Sequence, residues 1–248
     1  MLRSLNELRG YVLQAEDGEI GRCKDFLFDD RFWTIRHMVA DTGKWLPKRK
    51  ILISPLVMNT PDWASSRFPV RMTKKKIEDS PPLATDEPVS RQREVGLFQY
   101  YGWPYYWVGG QTWGVIDFPN LPHDATMPQP GTAEEDSGDD HLRSADEVTG
   151  YHIQATDDEI GHVEDFLVDD ETWTIRYVVV DTRNWLPGRK VLIAPSWAES
   201  IDWSKSKVFV DLTRAQVKGS PEYDPSTLLD REYEKLLYDY YHRATYWV

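Results

Sequence analysis

Cysteine is nearly absent from this 248-residue chain, in which Cys23 is the single example. One cysteine cannot form a disulfide within the chain, and such scarcity is typical of proteins that fold in a reducing compartment. Because the aligned position 140 residues later holds Val163, we interpret Cys23 as a small buried hydrophobic residue rather than a reactive thiol.

Long hydrophobic runs are absent as well. The longest, such as residues 177–180, fall far short of the roughly 20 apolar residues that a membrane-spanning helix needs. The opening residues MLRSLNELRG lack the apolar core of a signal peptide. These features predict a cytoplasmic protein without an integral membrane segment.

A basic surplus is missing too, since the formal net charge is −12. Binding to nucleic acid depends on Lys and Arg that neutralise phosphates, so this balance argues against nucleic acid as a partner. Residues 109–140 contain seven acidic residues, no Lys or Arg, and many Pro and Gly. Such a composition cannot bury enough apolar surface to fold, so we predict a flexible linker at 109–140.

What the chain does have is a long internal repeat. Residues 25–55 read DFLFDDRFWTIRHMVADTGKWLPKRKILISP, and residues 165–195 read DFLVDDETWTIRYVVVDTRNWLPGRKVLIAP. The offset is 140 residues, without a gap. An ungapped match of this length predicts that one fold occurs twice, with the same strand order in both copies.

Each copy shows short strand patterns separated by turns, with no long amphipathic helix between them. Residues 174–180 are rich in β-branched residues that suit a half-buried strand. Thr213 and Gln216 have the spacing of a helix capping box, and Pro221 follows where that short helix must stop. The pattern favours a small antiparallel barrel or sandwich in each copy.

The shared motif G-Y, D-x-E-I-G, D-F-L-x-D-D, W-T-I-R, D-T, W-L-P, R-K-x-L-I-x-P and D-W resembles the PRC-barrel domain family. The resemblance covers residues 2–81 and 142–221. The family includes the cytoplasmic part of the photosynthetic reaction-centre H subunit and a ribosome-maturation factor. The resemblance implies a compact antiparallel β-barrel that works as a docking module, with no catalytic residue or cofactor to carry over.

An aromatic tail follows each copy at the same offset. We predict that Asp224 caps the second tail helix and that one apolar face contains Leu229, Tyr233, Leu236, Leu237 and Tyr240. Gly102 is expected to end the first tail helix. So many aromatic rings must pack against something, and equal tails on equal barrels favour a reciprocal arrangement that joins the copies or forms a homodimer.

The predicted fold is therefore all-β, with two tandem small antiparallel PRC-type barrels, each followed by a short helix and an aromatic helical tail. The predicted segments are the first barrel at 1–82, its tail at 83–108, the linker at 109–140, the second barrel at 141–222 and its tail at 223–248.

Clustered carboxylates are the best candidates for chemistry. They are weak metal candidates in two repeated sets: Asp29, Asp30, Asp41, Asp169, Asp170 and Asp181. Adjacent carboxylates at a hairpin end are more typical of turns, so we expect no tightly bound ion. The six histidines do not recur at paired positions, which argues against a duplicated zinc site, and no G-x-S-x-G, P-loop, Rossmann or H-E-x-x-H motif is present.

Interaction candidates lie in the W-L-P loops and in the tails. A tryptophan beside Pro and a basic pair suits either an anchor for a partner or a lid on the barrel. The arginines of both copies are expected to pair within the chain, with Asp25, Asp41 and their copies. The candidates are Trp45, Pro47, Arg49, Trp185, Pro187, Arg189, Tyr100, Tyr101, Trp107, Tyr240, Tyr241 and Trp247.

These observations predict a bacterial-type, non-enzymatic docking or scaffold protein that mediates protein–protein association. The partner is unnamed, and an intramolecular pseudo-dimer or a homodimer is expected. Two other hypotheses remain open. The chain could be a peripheral component of a photosynthetic or electron-transfer membrane complex, or a metal-binding protein or enzyme that uses the repeated Asp clusters.

Overall fold

The computed structural model describes residues 1–84, 89–121, 141–182 and 189–247. The chain divides into two compact units. The N unit comprises Leu5–Asp146 and Asp170–Thr174, and the C unit comprises Met1–Ser4, Glu147–Asp169 and the chain from Ile175 onward. The units therefore differ from the predicted segments, because each one includes residues from both halves of the sequence.

In its described residues, the N unit contains one mixed sheet and the helices α1, α2 and α3. Its strands and helices are α1 (Leu5–Leu8), β2 (Val12–Ala15), β3 (Gly18–Asp29), β4 (Thr34–Asp41), β5 (Ile51–Ile53), β6 (Arg67–Pro69), α2 (Lys74–Glu78), α3 (Arg91–Tyr101) and β7 (Leu142–Ser144). The strand order is β5-β4-β3-β2-β6, and β7 pairs with β3 off this path. The long strand β3 is central, since β2 pairs with its first half and β7 with its last three residues.

The C unit repeats this arrangement. Its first strand is β1 (Leu2–Ser4). The helix α4 (Ala145–Val148) begins in the N unit and ends in the C unit. The remaining elements are β8 (His152–Gln154), β9 (Glu159–Asp169), β10 (Ile175–Asp181), β11 (Lys190–Ile193), β12 (Ala198–Asp202), β13 (Lys207–Val210), α5 (Arg214–Gly219) and α6 (Arg231–Tyr241). The order β11-β10-β9-β8-β13-β12, with β1 on β9, confirms that the two sheets share a strand order, and β12 is an addition.

The sheets are mixed rather than purely antiparallel. Strand β6 runs parallel to β2, and β13 runs parallel to β8, while the other pairs are antiparallel. Among the strands that the structure describes, the pairs trace an open path and no pair closes either sheet into a barrel. The prediction of mostly β structure is confirmed, whereas the purely antiparallel pairing is corrected. The turn signals located the strands but gave no information on the direction of β6, which follows a long connection.

The opening strands are exchanged between the halves of the sequence. In the C unit, Leu2–Ser4 pairs with β9, with Ser4 opposite Leu167. In the N unit, Leu142–Ser144 pairs with β3, with Ser144 opposite Leu27. Both exchanged strands read Leu-Arg-Ser, and both use the same register.

A close approach of backbone explains one repeated glycine. A Cβ atom added to Gly21 would lie 2.1 Å from the carbonyl oxygen of Asp41, and one added to Gly161 would lie 2.1 Å from that of Asp181. Both glycines also have φ near +140°, which side chains rarely adopt. Only glycine therefore allows β3 and β9 to pack against the strand that follows them.

The tail helices begin and face differently from the sequence prediction. Asp230, not Asp224, caps α6, and its side chain accepts a hydrogen bond from the backbone N–H of Tyr233. The buried residues of α6 are Glu234, Leu237, Tyr238 and Tyr241, while Leu236 is 57% exposed. Of the predicted apolar face only Leu237 is buried, because the buried face includes Glu234, a residue whose charge suggests an exposed position. Gly102 does end α3 in the left-handed conformation, as predicted.

Each tail packs within the unit that contains the sheet of its own half. In the C unit, Tyr238 and Tyr241 contact Trp197, with ring centroids 5.3 and 4.8 Å away. In the N unit, Phe98 contacts His37, and Tyr101 stacks on Trp103 at 4.3 Å. These contacts attach each tail to the unit of its own half, and a role of the tails in joining two copies stays a prediction. The opening strands, which the sequence analysis overlooked, are the exchanged segments.

The predicted linker begins with a packed turn. The backbone N–H of Gln111 donates to the carbonyl of Gly114 at 2.9 Å, and the side chain of Trp113 is 5% exposed. Trp113 is held because its Nε1 donates to the carbonyl of Thr172 at 2.8 Å. The rest of that linker, residues 122–140, lies outside the described residues.

Candidate functional site

A buried arginine on β4 organises one side of the N unit. Arg36 is fully buried, donates to the carbonyl of Thr112 at 2.7 Å, and pairs with the carboxylate of Asp29 at 3.1 Å. Its guanidinium lies 3.9 Å from the ring centroid of Tyr106 and 4.9 Å from that of Trp113. Burial lowers the pKa of Arg36, and Tyr106 and Asp29 oppose that shift. This arrangement suits a structural clamp on residues 106–113.

A buried carboxylate lies next to that clamp. Glu94, on the inner face of α3, is fully buried and accepts hydrogen bonds from four side chains. Its oxygens lie 2.9 Å from His37 Nε2, 2.7 Å from His141 Nε2, 3.0 Å from Arg91 and 2.9 Å from the Tyr106 hydroxyl. Because an ionised carboxylate only accepts, each imidazole Nε2 must carry the shared proton.

The donors around Glu94 hold it in the charged state. Burial by itself would raise the pKa of Glu94, but hydrogen bonds from His141 and His37, with electrostatic contributions from His37 and Arg91, lower that pKa to about 2. Burial also raises the pKa of Tyr106, so its hydroxyl remains a donor. The site therefore holds one negative charge whose donors come from four separate segments.

The aligned glutamate in the C unit has fewer donors. Glu234 accepts from Arg231 at 2.8 Å and from the hydroxyl of Tyr246 at 2.8 Å. Tyr177 occupies the position of His37, and Met1 occupies the position of His141. Burial raises the pKa of Glu234, and the hydrogen bond from Tyr246 and the charge of Arg231 only partly oppose it. The pKa values of these two aligned glutamates are thus shifted in opposite directions, down for Glu94 and up for Glu234.

Carboxylates also fix the exchanged strands. In the N unit, Asp25 accepts from the hydroxyl of Ser144 at 2.6 Å and from the backbone N–H of Asp146 at 3.0 Å. Arg143 donates to Asp30 at 3.0 Å. In the C unit, the hydroxyl of Ser4 donates to Asp165. Each strand is therefore bound by backbone pairing and by side-chain hydrogen bonds, which is how a sheet edge takes up an added strand.

A loop from the second half completes the core of the N unit. Trp173 is 5% exposed, and its ring centroid lies 6.3 Å from that of Phe26 and 6.2 Å from that of Phe68. Its carbonyl accepts from the backbone N–H of Ile35 at 2.8 Å. The N unit thus takes both a strand and a core side chain from residues after position 140.

The weak metal candidates are engaged in turns and ion pairs. Asp29 accepts from the backbone N–H of Arg31, which confirms the turn interpretation at that position, and Asp169 pairs with Arg176 at 3.4 Å. Asp41 accepts from the N–H of Gly43, Asp181 lies 3.9 Å from His162, and Asp170 is half-buried. In the described ranges, no group of three His, Cys, Asp or Glu is arranged to hold a metal ion.

The arginines pair within the chain, but with other partners than expected. Arg36 pairs with Asp29 rather than with Asp25 or Asp41. Arg49 donates to the carbonyls of Glu78 and Ser80, and Arg189 to those of Lys218 and Ser220, at the ends of α2 and α5. The last carbonyls of a helix have no partner within it, and these guanidinium groups supply one.

The W-L-P loop of the N unit presents its tryptophan partly to solvent. Trp45 is half-buried with the ammonium of Lys74 4.7 Å from its ring, Leu46 is buried, and Pro47 is exposed. The inward residue is therefore Leu46. The matching candidates Trp185 and Pro187 lie outside the described residues.

The tail candidates divide into buried and accessible residues. Tyr101 and Tyr241 are buried, whereas the hydroxyls of Tyr100 and Tyr240 donate to the carbonyls of Lys76 and Gln216 at 2.9 and 2.7 Å. The rings of Trp107 and Trp247 are half-buried and lie 4.1 and 4.3 Å from the guanidinium groups of Arg91 and Arg231. The tyrosine hydroxyls thus attach α3 to α2 and α6 to α5, and the tryptophans pack back on the first turn of their own tail helix.

Sequence reasoning missed Glu94, His37, His141 and Trp173. Part of the signal for the first three was present, because two of the six histidines that fail to recur, His37 and His141, are the ones that bond Glu94. Cys23, by contrast, is buried as predicted, and burial raises the pKa of its thiol. No helix of the described chain has the length and apolar character needed to cross a membrane.

Comparison with known proteins gives one family match. The family described as the PRC-barrel domain matches residues 141–217, a range that begins just before β7 and ends in α5. No curated protein matches the chain. The family that the shared motif resembles is thus recognised independently in the second half, where residues 141–217 match the PRC-barrel domain.

Proposed function

We propose that this chain is a non-enzymatic docking protein that mediates protein–protein association through two PRC-type modules. One observation carries the proposal: the sheet of each unit binds a Leu-Arg-Ser strand from the other half of the sequence. Addition of a strand to a sheet edge is a general mode of protein recognition, in which backbone hydrogen bonds give affinity and side chains give specificity. The PRC-barrel match at 141–217 supports the same function.

The absence of catalysis is part of this proposal. The buried ionisable groups are occupied with each other, as Arg36 is with Asp29 and Glu94 is with its four donors. A catalytic acid, base or nucleophile must be within reach of a substrate, and these groups lie beneath packed rings. A cytoplasmic location is consistent with the single cysteine.

The two halves of the sequence would then form an intramolecular pseudo-dimer. Each unit contains a strand from both halves, and the N unit also contains Trp173. The accessible residues of each unit would then be available to contact a further protein. The W-L-P loop, with Trp45 half-exposed and Pro47 exposed, is the anchor that we assign to that contact.

Binding of a purified partner tests this function. A photo-crosslinking residue at position 47 of the full chain is expected to capture a discrete protein, which is then purified and titrated against the chain. We expect saturable binding that the double variant Trp45→Ala, Pro47→Ala weakens at least about tenfold. A few aromatic anchors supply most of the binding energy of an interface, so their truncation is costly. The control Val115→Ala truncates an exposed side chain of the same unit outside the W-L-P loop and should bind like the wild type.

Two outcomes would contradict the docking function. One is the same affinity for the double variant as for the wild type at every identified partner. The other is a stoichiometric metal ion in the purified full chain that disappears in Asp30→Asn, Asp170→Asn, since this would assign the Asp clusters to metal chemistry.

A further inference from the structure

The two exchanged strands are so alike that their own residues do not explain which sheet each strand joins. Both read Leu-Arg-Ser, and both meet their sheets in one register. Their acceptors are also alike, since Asp25 bonds Ser144 in the N unit and Asp165 bonds Ser4 in the C unit. The paired tripeptides therefore cannot determine which strand enters which sheet. Residues next to the strands must do so.

The residue before each strand differs between the halves. Position 141 is His and position 1 is Met. His141 Nε2 lies 2.7 Å from Glu94 and 3.3 Å from the Tyr106 hydroxyl, while its carbonyl accepts from the backbone N–H of Asp30 at 3.2 Å. His141 is thus held by its ring and by its backbone immediately before β7 begins.

The two sheets that receive these strands also have different surroundings at the aligned glutamate. Glu94 is fully buried and accepts from His37, whereas the aligned Glu234 has Tyr177 at the position of His37. The thioether side chain of a methionine before the strand offers no N–H donor, so it could not replace the imidazole of His141 at Glu94. The loss of a donor to a buried carboxylate is costly, because the desolvated charge is left less well compensated.

We propose that Glu94 is a recognition site for the histidine that precedes an incoming Leu-Arg-Ser strand, and that it selects the strand of the second half for the N unit. The partner recognised is another copy of the same module, identified by His before its opening strand. The inference goes beyond the docking function, because it concerns pairing within the chain and needs no external partner.

The charges that face Glu94 are consistent with this role. His37 approaches from β4, Arg91 from the first turn of α3, Tyr106 from the tail and His141 from the segment before β7. Arg36 and Asp29 form the adjacent clamp. Of these groups, only His141 comes from the second half of the sequence, so its contact reports which half has supplied the strand.

Hydrogen exchange of the full-length variants tests the anchoring. In His141→Met, which installs the residue found at position 1, we expect the amides of residues 142–144 to exchange about tenfold faster or more, with little change at 2–4. His141→Gln keeps an N–H donor and should restore most of the protection. His152→Met removes another His–Glu contact, with Glu159 at 2.9 Å in the C unit, and should leave both strands unchanged. Unchanged exchange at 142–144 in His141→Met would overturn the proposal, as would equal loss at 2–4.

A disulfide trap tests the selection itself. In a Cys23→Val background, Ser144→Cys with Leu27→Cys should cross-link under mild oxidation, because these residues are directly opposed. Ser4→Cys with Leu27→Cys should not cross-link within one chain, and should do so more readily when His141→Met is added. Equal cross-linking of the two pairs with His141 present would show that Glu94 does not select the strand.

Discussion

Trp173→Ala is expected to destabilise the N unit by about 3–5 kcal/mol, although the residue belongs to the second half of the sequence. The side chain is 5% exposed and lies between the rings of Phe26 and Phe68. Truncation removes a large buried surface and leaves a cavity that the surrounding sheet can fill only partly. The loss should therefore appear in β3 and β4, far along the sequence from the substitution.

Trp33→Ala is the matched control for this variant. Trp33 occupies the aligned position of the first half, also has positive φ, and stacks on Phe28 at 5.3 Å, but it is only half-buried. We expect a smaller loss from it. Site-resolved hydrogen exchange in denaturant measures both variants. Protection lost in the C unit but retained at Phe26 and Ile35 in Trp173→Ala would contradict the assignment of this loop to the N unit.

Glu94→Gln and Glu234→Gln are expected to differ in size although the positions are aligned. At pH 7, Glu94→Gln replaces a charged acceptor of four donors and should cost about 1–3 kcal/mol. Glu234→Gln replaces a carboxylate that burial disfavours, so it should be close to neutral. The sequence repeat would suggest equal effects, and the donors explain why they are unequal.

The pH dependence of the two sites should have opposite signs. The pKa of Glu94 is lowered from 4.5 to about 2, so its stabilisation is complete above about pH 4.5 and is lost as the pH falls towards 2. The pKa of Glu234 is raised, so its stabilising contribution is present at low pH and is lost as the pH rises through that raised value.

Unfolding curves of both variants from pH 2 to pH 7 measure this difference against the wild type. The free-energy difference between wild type and Glu94→Gln should shrink as the pH falls below about 4.5. A difference that stays constant over this range, or a larger loss from Glu234→Gln at pH 7, would mean that the donors around Glu94 do not hold its charge.

The internal repeat made the order of strands predictable, and local chemistry made some ends predictable. Thr213 and Gln216 form the capping box that their spacing indicates, and Gly102 ends α3. These features depend on neighbours within a few residues, so the sequence contains all the information they need.

The exchange of strands was not predictable in the same way. Leu2–Ser4 and Leu142–Ser144 are identical, and either could complete either sheet as far as their own residues indicate. The face of α6 was misjudged for a related reason, because Glu234 is buried only where Arg231 and Tyr246 supply donors. The strand contacts join residues that are distant in sequence, and polarity alone places a glutamate outside.

Cleavage of the chain between its two halves tests the central claim, that each unit is built from both. A protease site inserted within residues 122–140 leaves every strand and helix of the described chain intact. After cleavage, native mass spectrometry should find the two fragments together, at close to the 28.9 kDa of the whole chain, because each unit keeps strands from both. Fragments that separate under native conditions and remain folded would contradict the account.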